Sequence, residues 1–491
     1  MEIILAGCNL DYETVGAFRK ERPEREDLTP ETIAAAYARI SRDPRPVNEL
    51  RTAARREVEK ARQSNRNIVF SMGHSSIAEH AVFNIDVLGV SRLLTEEIQK
   101  SRLASYTEKS QRYILLEDDF VIPEEVVKAG FSDVFVETVR TQNLFYKDIY
   151  EKLKPYIFAG HSDLAGDRAN HSLLDGWAKE DARYIISLAT ETQFGMTLNA
   201  RNLELMVRRL ASSPLAEGRE YSRRIYDTTK NIAPSLVRYT EPTPYDRFAR
   251  QALKEKVMSL KLEKSDVTGN VDEVVLLNTT PDGDDRIIAA LLHSSSGMPL
   301  IRCLEIAARM PWGEKGDLIK TVCRHMRGYD SVLREFENAD LHFELTVSAT
   351  CFAQLKRHRM ATITVQDYDP ALGVTVPPAV REIGMDKEFM ALISRTEEAY
   401  HRIKKTAPGA ADYILTNAHR RRVSMKINAR ELYHIARIRA DRHAQWDIRE
   451  TARKMTDLGK KAMPLSFMLA TGKDEFPVLY EEVFAEPIPS P

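Results

Sequence analysis

Residues 426–440 read KINARELYHIARIRA, and residues 197–210 read TLNARNLELMVRRL. Both set Asn-Ala-Arg ahead of apolar residues at helical spacing, and an asparagine just before such a run is a helix N-cap signal. A second pair of stretches lies upstream: QKSRLASYTEKSQRY from Gln99 and QLKRHRMATITVQDY from Gln354, both basic. Each follows an apolar, strand-like run, HAVFNIDVLGVS in the first half and LHFELTVSATCFA in the second. Further upstream stand GHSSIAEH from Gly73 and, more weakly, GYDSVLRE from Gly328; the starts correspond as MEIILAGCN and EVVLLNTTPDGDDRIIAALLH. The order of elements therefore runs twice: opening strand, helices, strand pair, basic loop, helices, Asn-Ala-Arg helix.

At 491 residues the chain exceeds what one hydrophobic core usually holds. The stretch RQALKEKVMSLKLEKSDVTGNVD, 250–272, is charged and lacks large aromatics, so it reads as a helical tail and linker. The expected division is a first domain 1–245, a linker 246–271 and a second domain 272–491. Mixed strands and helices in each half predict an α+β fold in two tandem copies rather than a βαβ series.

Composition excludes several classes. A net charge of −1 gives no bulk electrostatic case for nucleic acid or anionic membrane. No apolar run approaches the ~20 residues of a spanning helix, and the start MEIILAGCNLDYETVG carries no signal-peptide pattern, so a cytoplasmic protein is expected. Cys8, Cys303, Cys323 and Cys351 are scattered and read as buried thiols. No metal-ligand spacing appears, and glycine motifs for phosphate or dinucleotide are absent. The cluster Arg357-His358-Arg359 invites an anionic ligand, because guanidinium pairs with phosphate in a fork. Other basic features read more plainly. Arg208 and Arg209 are expected to be solvated or paired, and Arg420-Arg421-Arg422 to be strand-edge or solvated charge. Trp446 is expected to pack its helix, and His74 and His80 have an alternative reading as core histidines.

Together these motifs resemble the flavin-dependent thymidylate synthases, whose signature is RHRxxSxxxxSxR followed by Tyr. It is preceded by GHxS…EH and followed by NARxLxHFxxLR…HAQWEIR. The resemblance covers roughly 1–240 and 273–480, and each half departs from it in a complementary way. The first half has Lys100-Ser101-Arg102 in place of RHR but keeps Glu108, Ser110, Arg112 and Arg183; Leu210 replaces the arginine of its Asn-Ala-Arg helix. The second half keeps Gln354, Arg357, His358, Arg359, Asn428, Arg430, His434, Arg439 and HAQWDIR. It carries Asp367 and Asp369 where Ser-x-Arg is expected, and Asp412 where the first half has Arg183.

Family members are homotetramers of single-domain chains whose sites draw on neighbouring subunits. The resemblance thus implies one complete residue set per chain, with each half supplying its retained share. It implies an antiparallel-type sheet with packed helices, FAD and NADPH as cofactors and methylene-tetrahydrofolate as co-substrate for dUMP. Two chains are expected to pair as a homodimer mimicking the tetramer. By resemblance Gln354, Arg357, Glu108, Ser110, Gln111, Arg112, Arg183 and Arg439 bind dUMP. Ser76, Arg357, His358, Arg359, Glu108, Asn428, Arg430 and His434 hold the flavin, and Arg439 and His74 are catalytic. The mirror set would place three carboxylates, Asp367, Asp369 and Asp412, where phosphate must sit. Two other functions are weighed: a related flavoenzyme acting on another uracil nucleotide, and a degenerate, non-catalytic flavin- or nucleotide-binding protein. Arg430 and His434 share a helix face, whereas Arg439 lies nearly half a turn away at about 100° per residue. Either Asn-Ala-Arg precedes the helix, or these side chains serve different parts of a large ligand pair.

Overall fold

The computed structural model describes residues 1–10, 29–39, 45–67, 69, 75–112, 114–260 and 273–488. It contains two four-stranded antiparallel sheets of the same order. The first runs β1-β2-β4-β3, with β1 Glu2–Cys8, β2 Val82–Ser91, β3 Ala104–Glu108 and β4 Glu191–Asn199. The second runs β5-β6-β8-β7, with β5 Val274–Thr279, β6 Asp340–Ser348, β7 Thr362–Val365 and β8 Arg420–Asn428. The α+β expectation and its duplication hold. The helices that bear on function are, in chain order, α1 Arg92–Ile98, α2 Ser132–Gly160, α3 His171–Ala182, α4 Ala200–Ala211, α5 Ala216–Thr229, α6 Pro244–Ser259, α7 Ala349–Leu355, α8 Asp386–Lys404, α9 Ala429–Arg439 and α10 Trp446–Ala462.

Alternation builds both sheets. On β2 Phe83, Ile85 and Val87 are buried while Asn84 and Asp86 face out; they register against Leu198, Met196 and Phe194 of β4. In the second sheet Leu341, Phe343 and Leu345 of β6 register against Ile427, Met425 and Val423 of β8. Onto the first sheet α4 brings Leu203, Met206, Val207 and Leu210, and onto the second α9 brings Leu432 and Ile435. Truncating one such side chain, Phe343 for example, costs about 3–5 kcal/mol. Gly89 sits at a bulge in β2 with φ +66°, and an added Cβ there would lie 3.2 Å from the Met1 nitrogen.

The chain forms two compact units: Met1–Ser265 with Ile383–Leu415, and Asp266–Glu382 with Thr416–Pro491. The segment 383–415 thus belongs to the first unit although it lies in the second repeat. There α8 packs on α2, and buried Gln142 donates to Thr396 Oγ1 and to the Ile414 carbonyl, both at 3.0 Å. Leu188 N and Ala189 N donate to the carbonyls of Leu415 and Tyr413 at 2.8 and 2.9 Å.

A serine cap recurs in both units. Ser91 Oγ accepts from Leu94 N at 3.0 Å, capping α1, and donates to Glu217 on α5 at 2.7 Å. Ser348 Oγ accepts from Cys351 N at 2.9 Å, capping α7, and donates to Asp447 on α10 at 2.5 Å. Among the described residues no helix is long and apolar enough to cross a membrane, and no group of three or more His, Cys, Asp or Glu is placed to hold a metal ion.

Candidate functional site

In the first unit, β3 ends on Glu108, and the chain turns through Ser110, Gln111 and Arg112 towards α3. The Glu108 side chain is buried; its carboxylate pairs with Arg92 and accepts from Gln99 Nε2 at 2.9 Å and Thr192 Oγ1 at 3.4 Å. Ser110 Oγ accepts from Arg112 N at 3.2 Å, which shapes the turn. Arg112 reaches the Glu180 carboxylate of α3 through Nε. Gly176, one turn earlier on α3, packs beside the Arg112 carbonyl, which stands 3.5 Å from where a Cβ would be. Arg183 follows the end of α3 and is buried, as is Gln111. Burial is the main cause that lowers the Arg183 pKa; Glu180 opposes it, while Arg112 and Arg92 add like-charge repulsion. Arg92, Arg112 and Arg183 thus lie near one another, with Glu108 pairing Arg92 and Glu180 pairing Arg112.

The second repeat dismantles this locus. Asp369, in place of Arg112, accepts from Ala371 N at 3.0 Å and caps the short turn Pro370–Leu372. In the register that sets Asp412 against Arg183, the counterpart of Glu180 is Gly409. Both members of the ion pair are gone together.

In the second unit, Asn428 caps α9, its Oδ1 accepting from Glu431 N at 2.9 Å, so Ala429 and Arg430 open the helix. Asn199 caps α4 in the same way, accepting from Asn202 N at 2.9 Å. The side chains of α9 then diverge. Arg430 donates from Nε to the Val332 carbonyl at 2.9 Å and from Nη1 to Glu337 at 3.2 Å. Arg437 donates to the carbonyls of Tyr329 and Asp330 at 2.8 and 2.6 Å and lies 3.1 Å from His434 Nδ1. Arg439 donates from Nε to His358 Nε2 at 3.2 Å. The two rotational positions on α9 therefore serve different partners.

The Arg357-His358-Arg359 cluster does not present one face. Arg357 is exposed and Arg359 half-buried, whereas His358 turns inward at 4% exposure. His358 Nδ1 lies 3.2 Å from Glu431 Oε1, and its ring stands 5.7 Å from that of His434. Burial is the main cause that pulls the His358 pKa below the ordinary value; Glu431 opposes and Arg439 assists. His434 is lowered too, first by desolvation, with Glu431 opposing and Arg437, Arg439 and Arg430 adding to the effect. Gln354 Nε2 lies 3.4 Å from Gln445 Oε1.

Beside α9 opens a small cleft lined by Gly328, Asp330, Arg430, His434, Arg437 and Lys473 together with Tyr433, Leu469 and Phe476. Sequence reading missed Glu431, Arg437 and Lys473. The signal for the first two was spacing: Glu431 and Arg437 stand three residues before and after His434.

Two further placements complete the comparison with the sequence. His74 lies outside the described residues, as does Tyr113; Ser76 is exposed on the turn Ser75–His80, and His80 meets Tyr37 edge-on at 4.7 Å. The reading of Arg420–Arg422 as strand-edge or solvated charge is corrected. β8 is an interior strand, and Arg421 is buried with its guanidinium 4.2 Å from the Tyr368 ring centre and 4.9 Å from that of Phe352. It donates to the Gln366 carbonyl at 2.6 and 2.9 Å; aromatic stacking and this acceptor make the burial tolerable.

Comparison with known proteins adds the following. Residues 26–235 and 275–465 match the family model described as thymidylate synthase complementing protein. A flavin-dependent thymidylate synthase of Clostridium tetani is 31% identical over 218 residues, 44% of this chain and 83% of that one. A UPF0159 protein of Thermoplasma acidophilum is 24% identical over 478 residues, 88% of this chain and 92% of the other. Among solved structures, flavin-dependent thymidylate synthase ThyX from Helicobacter pylori, complexed with FAD and dUMP, aligns with a TM-score of 0.30 at 16% identity, over 48% of this chain and all of that one.

Proposed function

The chain belongs to the family of thymidylate synthase complementing proteins, the flavin-dependent thymidylate synthases, and its two halves each match the family; on that premise we propose that it methylates dUMP to dTMP. The reaction uses FAD, NADPH and methylene-tetrahydrofolate, with one residue set per chain. The repeats divide as 1–245 and 272–491, joined by 246–271, and two chains associate as a homodimer. The observation that carries this reading is the complementary retention of the family's residues: Glu108, Ser110, Arg112 and Arg183 in the first repeat, Arg357–Arg359 and Asn428–Arg439 in the second. Random decay would not spare matching halves.

When bound, the flavin supplies hydride to the pyrimidine, which carries the hard step. The chain's own residues bind and orient. Arg112, the Ser110 hydroxyl and Arg183 hold the nucleotide phosphate, each charge-assisted bond contributing roughly 1.5–3 kcal/mol. Arg439 stabilises negative charge that develops on the N3/O4 edge of uracil; loss of one such group lowers the rate on the order of 10² to 10³. Arg357, Arg359 and the cleft residues Arg430 and His434 hold the cofactor, with Asn428 fixing the start of their helix. Both ring nitrogens of His358 are engaged within the protein, so cofactor contact falls to its neighbours.

Product analysis with dUMP, methylene-tetrahydrofolate and NADPH tests the proposal; dTMP is the expected product. A second reading is modification of another uracil nucleotide, since Arg112 and Arg183 speak only for a phosphate and not for the sugar. UMP assayed in parallel separates the two. A protein without a yellow chromophore that binds no added FAD overturns both.

A further inference from the structure

We propose that Glu431 and His358 are positioning residues that orient the guanidinium of Arg439 through a fixed imidazole tautomer. This rests on the reading of Arg439 as the cation that faces the nucleotide.

The argument begins with what each group can do. An arginine Nε–H can only donate. At 3.2 Å from His358 Nε2 it therefore requires a lone pair on that nitrogen. The ring proton then resides on Nδ1, which lies 3.2 Å from Glu431 Oε1, an acceptor when ionised. The chain of donors runs one way, from Arg439 to His358 to Glu431. An imidazolium would set a second N–H against the arginine N–H, and the other tautomer would do the same while leaving Nδ1 with nothing to donate to Glu431. The site is dry enough to enforce the choice, since His358 is 4% exposed and the Glu431 side chain 13%. The neutral ring agrees with the downward pKa shift that burial produces.

A second observation separates this arrangement from ordinary packing. In the register of the two repeats, the counterparts of His358, Glu431 and Arg439 are Ser101, Asn202 and Leu210. All three members are absent together in the first repeat, yet its sheet has the same strand order and its Asn-Ala-Arg helix the same cap. The trio is therefore not a requirement of the fold. It occurs in the repeat that retains the arginine and not in the repeat that lost it.

The test uses full-length protein labelled with 15N-histidine and with bound FAD, at neutral pH. Side-chain correlation spectra read the tautomer of His358 directly. The wild type is expected to carry its proton on Nδ1, and Glu431→Leu is expected to lose that preference. In turnover with dUMP, Glu431→Leu should lower kcat by about tenfold or more, the scale of one charge-assisted bond. Glu431→Gln, whose amide oxygen still accepts from Nδ1, should regain at least half of that loss on a logarithmic scale. A wild-type ring protonated on Nε2 or on both nitrogens overturns the proposal, as does equal kcat in the Leu and Gln variants. Should the wild type fail to methylate dUMP, the functional reading falls, while the spectra of wild type and Glu431→Gln still decide the tautomer. Should Glu431→Leu fail to fold, those same two proteins decide it.

Discussion

Ser91 and Glu217 are joined by a hydroxyl-to-carboxylate hydrogen bond of 2.7 Å, and the Ser91 backbone N–H donates to the same carboxylate at 2.7 Å. Tyr413 adds a third donor at 2.7 Å. Glu217 is half-buried, and desolvation raises its pKa against the pull of these donors. Ser91→Ala removes both a helix cap and one hydrogen-bond partner of the half-buried Glu217 carboxylate. We expect a loss of about 1–3 kcal/mol, read as an earlier denaturant transition of the first unit. Ser348→Ala should act likewise on the second unit through Asp447. If both variants unfold at the wild-type midpoint, the cap is incidental.

Arg112 should matter for nucleotide more than for flavin. Arg112→Ala is expected to weaken dUMP binding about tenfold or more in calorimetry, with FAD retained. The opposite outcome, flavin lost and dUMP kept, would invert the assigned roles.

Flavin stoichiometry should be one FAD per chain. On the proposed reading only one full set of family residues survives, with Asp367, Asp369 and Asp412 standing where the mirror set would need phosphate donors. An absorbance titration that saturates at two per polypeptide contradicts this.

Acidification should destabilise the second unit before ordinary carboxylates titrate. His358, which is buried, has a native pKa below the usual histidine value chiefly through desolvation; exposed His434 is shifted the same way, but solvent screens its effect on stability. Below about pH 6.5 the unfolded chain binds protons that the native state resists, so stability falls as pH drops. Their contribution is complete above about pH 6.5 and diminishes below it. Glu217 acts with the opposite sign in the first unit, since its native pKa is raised. Denaturation series between pH 7 and 5 should show a shallower slope for His358→Gln than for wild type. Equal slopes would mean that His358 does not titrate against folding.

Arg421→Lys should not rescue Arg421→Ala. The guanidinium lies over Tyr368 and Phe352 and donates twice to one carbonyl, a planar task that an ammonium cannot reproduce. Thermal unfolding of both variants checks this; a lysine variant as stable as wild type would refute it.

Two kinds of information divide this protein. Strand alternation, the helical spacing after Asn-Ala-Arg and the order of motifs are set between near neighbours, and periodicity carries them in the sequence. That sufficed for two α+β repeats, for Asn199 and Asn428 as caps, and for the family. The fates of individual charged side chains are set by partners far along the chain. His358 meets Glu431 across 73 residues and Arg439 across 81, and Gln142 meets Thr396 across 254. No local pattern encodes such encounters, because they depend on how sheet and helices pack. Only the tertiary structure decided that His358 turns inward from between two arginines, that Arg421 is buried on an interior strand, and that 383–415 belongs with the first unit. The physical reason is common to all three: burying a charge, a polar ring or a neutral polar group such as the Gln142 amide is tolerable only where packing brings a compensating partner.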